Sequence, residues 1–218
     1  MFCNIFYVKT ALYLQLHIQN ETEMKKILVL LVSAFVCLTA SAKVSGIEDA
    51  KKGDFNLGLQ MGVPPASGAG DKAYMPLISL DGAFVLTSGF INTKAFGQNG
   101  AVDLGFYGAF CGYEKDYFDD SEFIQIPMLL RSAFHFQFVP KLDTYAGAFA
   151  GVNIWKSTGD GWGRAGNPGE FSDTKACVGL YTGAKYYFSD VFGVKLEFGH
   201  DVCEDNYPFL AGGFSFRF

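Results

Sequence analysis

From Phe55 onward the chain alternates large apolar side chains with small or polar ones, a two-residue period that predicts strands. In Phe55–Val63, Phe55, Leu57, Leu59, Met61 and Val63 alternate with Asn56, Gly58, Gln60 and Gly62. The final ten residues behave the same way. Leu210, Phe214, Phe216 and Phe218 share one side, and Ala211, Gly213, Ser215 and Arg217 the other. Between them the pattern predicts strands over 74–84, 101–113, 123–136, 144–155, 175–188 and 193–202, making eight in all. In 144–155 two apolar sets compete. The set Ala146, Ala148, Ala150, Val152 and Ile154 is assigned outward, because Gly147, Gly151 and Asn153 lie with the opposite set. Residues 85–100 are weakly patterned and read as one long turn. Residues 64–72, 114–122, 156–173 and 203–206 read as loops, and 137–143 and 189–192 as short turns. Short turns at one end and long loops at the other describe an up-and-down barrel. The fold class expected is therefore all-β, an eight-stranded antiparallel up-and-down transmembrane β-barrel.

The faces give the next step. The apolar faces carry no charged side chain, and only Ser132, Thr182 and His200 are polar there. The strand charges Asp81, Asp103, Arg131, Lys185, Lys195, Glu197, Asp201 and Arg217 all fall on the other face. A soluble barrel would turn charges to water. A basic side chain facing lipid near the bilayer midplane costs roughly 2–4 kcal/mol, whereas a balanced set inside a narrow barrel pairs with itself. The expected interior network comprises Asp81, Asp103, Arg131, Lys185, Lys195 and Glu197. In hydrocarbon every backbone N–H and C=O needs a partner, so the first and last strands must pair. Eight strands leave an interior that side chains fill, so no wide pore is expected. A soluble lipocalin-like barrel is the alternative at the level of fold.

Composition agrees with aromatic, glycine-relieved sheets: 17% of residues are aromatic, 26 are glycine and only 18% are charged. No run of about twenty apolar residues occurs in the body of the chain. The N-terminus reads as a signal peptide over 24–42. Lys25 and Lys26 precede the apolar run Ile27–Leu38, and Ala40-Ser41-Ala42 supplies a cleavage pattern. Residues 1–23 are read as an untranslated upstream segment, with translation starting at Met24. Residues 43–53 are read as a short, polar, mobile lead-in, and 54–218 as the barrel. Removing the three lysines and two glutamates of residues 1–42 leaves 14 basic against 20 acidic residues, net −6. That balance argues against a nucleic-acid partner.

Three cysteines remain after processing: Cys111, Cys177 and Cys203. If the hairpin between the sixth and seventh strands centres on Asp190, Cys177 lies opposite Cys203 and Lys185 is diagonal to Glu197. If it centres on Val191, Lys185 pairs with Glu197 directly and the cysteines are diagonal. A Cys177–Cys203 disulfide and two reduced thiols are equally weighted, and Cys111 is expected to stay a thiol.

The chain resembles the small eight-stranded outer-membrane β-barrels of the outer-membrane protein A and X type. The resemblance covers Phe55–Phe218. Its carriers are Arg131-x-x-Phe134-His135-Phe136, Leu142-Asp143-x-Tyr145-x-Gly147, Gly183-Ala184-x-Tyr186-Tyr187-Phe188 and the terminal Phe216-Arg217-Phe218. It implies residence in the bacterial outer membrane and an assembly signal at Phe214, Phe216 and Phe218 read by the barrel-assembly machinery. It also implies contact with outer-membrane lipids and lipopolysaccharide, and a monomer. It does not imply one activity.

The leading functional reading is a non-enzymatic barrel, structural or narrow and porin-like, with surface loops and no cofactor. One rival is a recognition protein using Trp155, Trp162 and the loop 156–173; an aromatic girdle for Trp155 and ordinary loop packing for Trp162 are the favoured account of those tryptophans. A second rival, a lipid-modifying enzyme, needs a nucleophile beside a base. Alternation puts Ser132 and His135 on opposite faces, and likewise His200 and Asp201. The acidic run Glu114, Asp116, Asp119, Asp120 and Glu122 matches no calcium-loop spacing, so no metal site is expected.

Overall fold

The computed structural model describes residues 46–63, 71–115, 121–158, 171–201 and 208–218. The 24–42 segment read as a signal peptide lies outside them. The described residues form eight strands: β1 (Phe55–Val63), β2 (Asp71–Thr93), β3 (Gly97–Lys115), β4 (Ser121–Val139), β5 (Leu142–Thr158), β6 (Phe171–Tyr187), β7 (Phe192–Asp201) and β8 (Pro208–Arg217). Each pairs antiparallel with its sequence neighbours, and β1 pairs with β8, closing the ring β1 to β8. The seam runs from Asn56 opposite Arg217 to Val63 opposite Leu210. At its foot Phe55 and Phe218 exchange two backbone hydrogen bonds of 2.9 Å, so no edge is left there.

The faces divide as the alternation predicts. Leu59, Leu80, Leu104, Leu130, Leu180, Leu196 and Phe214 point outward and are exposed, while Gln60, Asp81, Asp103, Arg131, Lys185, Lys195 and Glu197 are buried. In β5 the alanine set does face out: Ala146, Ala148 and Ala150 are exposed, and Tyr145 and Phe149 are buried. Ser132, Ala146, Ala148 and Thr182 meet in adjacent registers, giving a small-residue patch in the outer surface. Two outward aromatic clusters lie at the short-turn end. Phe136 packs on Phe138 with ring centroids 4.7 Å apart, and Phe192 packs on Phe214 at 5.7 Å. Such girdles mark a membrane interface.

Three stretches depart from the sequence reading. Residues 85–100 are not a long turn: β2 continues to Thr93, residues 94–96 make the turn, and β3 begins at Gly97. The alternation is lost there because of register shifts between Val85 and Thr87 and between Ser88 and Ile91. An extra residue in one strand reverses which parity points inward, so the period fails without the strand ending. Gly89 and Gly100, with φ of 72° and 80°, supply the left-handed backbone at the second shift. Residues 137–143 are mostly strand as well, with only Pro140 and Lys141 in the turn. Gln137 and Asp143 therefore sit inside the barrel, fully buried.

The third departure is the lead-in expected to be mobile. Residues 46–54 pack across the short-turn mouth. Gly46 bridges Gln98, and the Ile47 N–H donates to Gln98 O at 2.8 Å. Ile47 and Ala50 are buried with Val85 and Ala101, a small apolar cluster separate from the main interior. At the mouth the segment's polar groups meet Gln98, Gln137 and Arg217.

Strands β2–β6 have 17–23 residues, against 9–10 for β1, β7 and β8. A tilted strand crosses the bilayer in about 9–11 residues. The short strands match one crossing. Much of the surplus extends beyond it at the long-loop end, where Glu114 pairs with Glu122 and Lys156 with Ser172, while the β2–β3 hairpin also runs past the start of β1 at the short-turn end, from Val85 opposite Asp103 to Thr93 opposite Gly97.

Candidate functional site

The inward faces converge on a polar lattice in the lower and middle barrel. Nearest the short turns, His135 from β4 lies between two carboxylates. Its Nε2 is 2.9 Å from Asp103 Oδ2 on β3, and its Nδ1 is 2.9 Å from both oxygens of Asp143 on β5. Asp103 also accepts the Ala133 N–H at 2.8 Å, and Lys185 from β6 stands 3.8 Å from Asp143. One level higher, Arg131 Nη2 donates to Glu197 Oε2 at 2.6 Å. Tyr145 donates to the same oxygen at 2.9 Å, and Lys195 Nζ lies 3.5 Å away. Lys195 also donates to Asp81 Oδ1 at 2.8 Å, to which Gln60 donates at 3.0 Å.

These contacts tie β1, β2, β3, β4, β5, β6 and β7 together through side chains. Rings pad the cations: the Arg131 guanidinium lies 3.8 Å from the Tyr181 ring centroid, and Lys185 Nζ lies 4.9 Å from that of Tyr145. Above the charges the interior becomes apolar, with Leu77, Tyr107, Cys111, Leu129, Phe149 and Cys177 in one cluster. A cavity of about 10 Å³ remains beside Arg131, Lys195 and Glu197, room for roughly one water.

Asp81, Asp103, Arg131, Lys185, Lys195 and Glu197 are all buried in this lattice. Lys185, however, meets Asp143 and not Glu197. The reason is register. Gly179 is opposite Asp201 and Lys185 opposite Lys195, so the β6–β7 hairpin centres on Asp190. Asp201 and Arg217, also read inward, stand at the two ends. Asp201 Oδ2 accepts from the Cys177 thiol at 3.0 Å, and Arg217 pairs with Asp49 of the lead-in at 3.1 Å. Cys203 lies outside the described residues, and Cys111 is a buried thiol.

His135, Asp143 and Tyr145 belong to the lattice although none entered the predicted network, and Gln137 is buried beyond them toward the mouth, on Asn99 and Asp49. The signal was present: His135 and Gln137 continue the parity of Arg131, and Asp143 and Tyr145 that of Phe149.

The other candidate chemistry separates in space. Ser132 faces outward and donates to the Asp103 backbone carbonyl at 2.7 Å, while His135 is inside. Among the described residues no group of three or more His, Cys, Asp or Glu side chains is placed to hold a metal ion. Asp116, Asp119, Asp120 and Trp162 lie outside them, and Trp155 is half-buried opposite Gln125 and Asp173. Phe214, Phe216 and Phe218 stand on the outer face of β8, with Phe218 69% exposed.

No protein-family model and no curated protein sequence matches the chain. Solved structures do resemble it. The N-terminal β-barrel domain of Pseudomonas aeruginosa OprF is 14% identical at a TM-score of 0.45, covering 77% of this chain and 98% of that one. Ail, the attachment invasion locus protein of Yersinia pestis, is 14% identical at 0.49, covering 77% and 99%. Neisserial surface protein A is 10% identical at 0.45, covering 78% and 98%. The molecule itself has three features suited to lipid. Its ring leaves no backbone edge in hydrocarbon. Its surface is apolar and its interior charged, the inverse of a soluble barrel. Its short strands match one bilayer crossing. The chain is an eight-stranded antiparallel β-barrel, closed on itself, apolar outside and charged inside, as a transmembrane barrel is.

Proposed function

We propose that the protein is a non-enzymatic, closed structural barrel that presents its long-loop end at the cell surface. The observation carrying this reading is the interior lattice. Four carboxylates (Asp81, Asp103, Asp143, Glu197) are knitted to Arg131, Lys185, Lys195 and His135. An aromatic and aliphatic layer lies above them. A solute pathway needs a continuous column of water, and the buried charged side chains and the apolar layer above them stand across it. Catalysis needs a nucleophile beside a base, and the wall of the barrel separates Ser132 from His135. In this reading the partners are outer-membrane lipids and lipopolysaccharide around the apolar belt, and the barrel-assembly machinery at β8. The protein acts as a monomer without a cofactor.

Single-channel recording in planar bilayers tests the proposal. A closed barrel gives a silent membrane after verified insertion. Reproducible stepwise conductance from the wild-type protein would show an open path and overturn it.

A further inference from the structure

We propose that residues 46–54 are a plug that docks in the short-turn mouth and undocks as a unit while the barrel stays closed. The mouth is built to receive an extended segment. On one side Gln98 O accepts from Ile47 N at 2.8 Å. Across the mouth, Gln137 Oε1 on β4 accepts from the Glu48 N–H at 2.7 Å, and its Nε2 donates to Asp49 Oδ2 at 2.7 Å. From β8, Arg217 Nη1 donates to the Glu48 carbonyl at 3.2 Å and to Asp49 Oδ1 at 3.1 Å. Asp49 is thus held from opposite walls of the barrel. Asn99 presets the receptor: its Nδ2 donates to Gln137 O at 2.7 Å and its Oδ1 accepts Gln137 N at 3.0 Å.

The occupant is specified by close approach. Gly46 has a φ of 147°, and a Cβ there would stand 2.8 Å from Gln98 O. Only glycine enters the mouth at that position without displacing backbone.

The energetics separate plug from barrel. The segment is held by three backbone hydrogen bonds (Ile47 N to Gln98 O, Gly53 N to Val85 O and Val85 N to Asp54 O), by side-chain hydrogen bonds and by two buried apolar residues, Ile47 and Ala50. The strands are held by continuous backbone ladders on both sides. Local opening follows contact density, so the plug opens at lower free energy than the ring that holds it. The inference is independent of the closed-barrel reading: the interior lattice lies above the plug and stays in place when the plug leaves.

Amide hydrogen exchange on the full chain in bilayer nanodiscs tests this, followed at Ile47, Glu48 and Gly53 and, as the barrel reference, at Leu59. In the wild type the three plug amides should exchange at least about tenfold more slowly than unstructured peptide, and faster than Leu59. Gln137→Ala and Gly46→Ala should each accelerate all three plug amides together by about tenfold or more, leaving Leu59 unchanged. Plug amides exchanging at the unstructured rate in the wild type would overturn docking. Plug amides exchanging together with Leu59 in wild type and variants would overturn independent release. Gly46→Ala lies outside the barrel, so it decides the matter even where Gln137→Ala impairs folding.

Discussion

Glu197 is the carboxylate on which the middle of the lattice converges, and Glu197→Gln is the sharpest probe of it. The side chain has 0% exposure, and Arg131, its ion-pair partner at 2.6 Å, is 8% exposed. Removing one member of a buried pair costs about 3–5 kcal/mol, because the partner is left charged and poorly solvated. Two features place this case at the lower end. Glutamine keeps an oxygen to accept from Tyr145 or Arg131, and Lys195 retains Asp81 at 2.8 Å. A loss of about 3 kcal/mol, at a urea dependence of about 1–3 kcal/mol per molar, lowers the midpoint by about 1–3 M. The assay is urea unfolding in liposomes, followed by tryptophan fluorescence and by heat-modifiable mobility. Exposed Glu122→Gln at the rim is the control and should leave the midpoint where it is. Arg131→Met combined with Glu197→Gln should recover much of the loss, because the stranded cation is gone. An unchanged midpoint for Glu197→Gln alone would refute the structural role of the lattice. If the substitution also produced channel conductance, the lattice would be acting as a stopper within the barrel.

Deleting Phe218, or replacing it with Asp, should sharply lower outer-membrane yield, since Phe218 closes the seam against Phe55; undiminished heat-modifiable protein in the membrane fraction would contradict this. Leu130 is 68% exposed in the middle of the apolar belt, and Leu130→Arg should cost roughly 2–4 kcal/mol in folding free energy measured in liposomes. Cys177 is a buried thiol that donates to Asp201 Oδ2 at 3.0 Å, so mass spectrometry of non-reduced, freshly exported protein should recover Cys177 without a cross-link; a Cys177–Cys203 cross-linked peptide would refute this. Burial raises the Asp49 carboxyl above the ordinary aspartate range, partly offset by Arg217. A raised carboxyl in the docked state means that docking takes up protons. Protection of the Ile47 amide, corrected for intrinsic exchange, should therefore rise as pH falls through the carboxylate range and lessen as pH rises; Asp49→Asn should flatten that dependence.

The parity of residues along each strand was enough to establish that this chain makes eight strands and which side chains face which way. Leu59 against Gln60 and Leu130 against Arg131 are local facts, because a strand turns successive side chains to opposite sides whatever it pairs with. Closure also followed from chemistry alone, since an apolar belt in lipid tolerates no unpaired edge. Parity does not reach across strands. Whether Lys185 meets Glu197 or Asp143 depends on a one-residue choice of hairpin centre, and both choices keep the same faces. Bulges are likewise invisible to a strict period, so β2 was read as ending near Phe84 when it runs to Thr93. The plug lay furthest from view. Gly46, Asp49 and Gln137 are ordinary polar positions in sequence, and only the closed ring brings β3, β4 and β8 to one mouth where an extended segment finds its donors and acceptors.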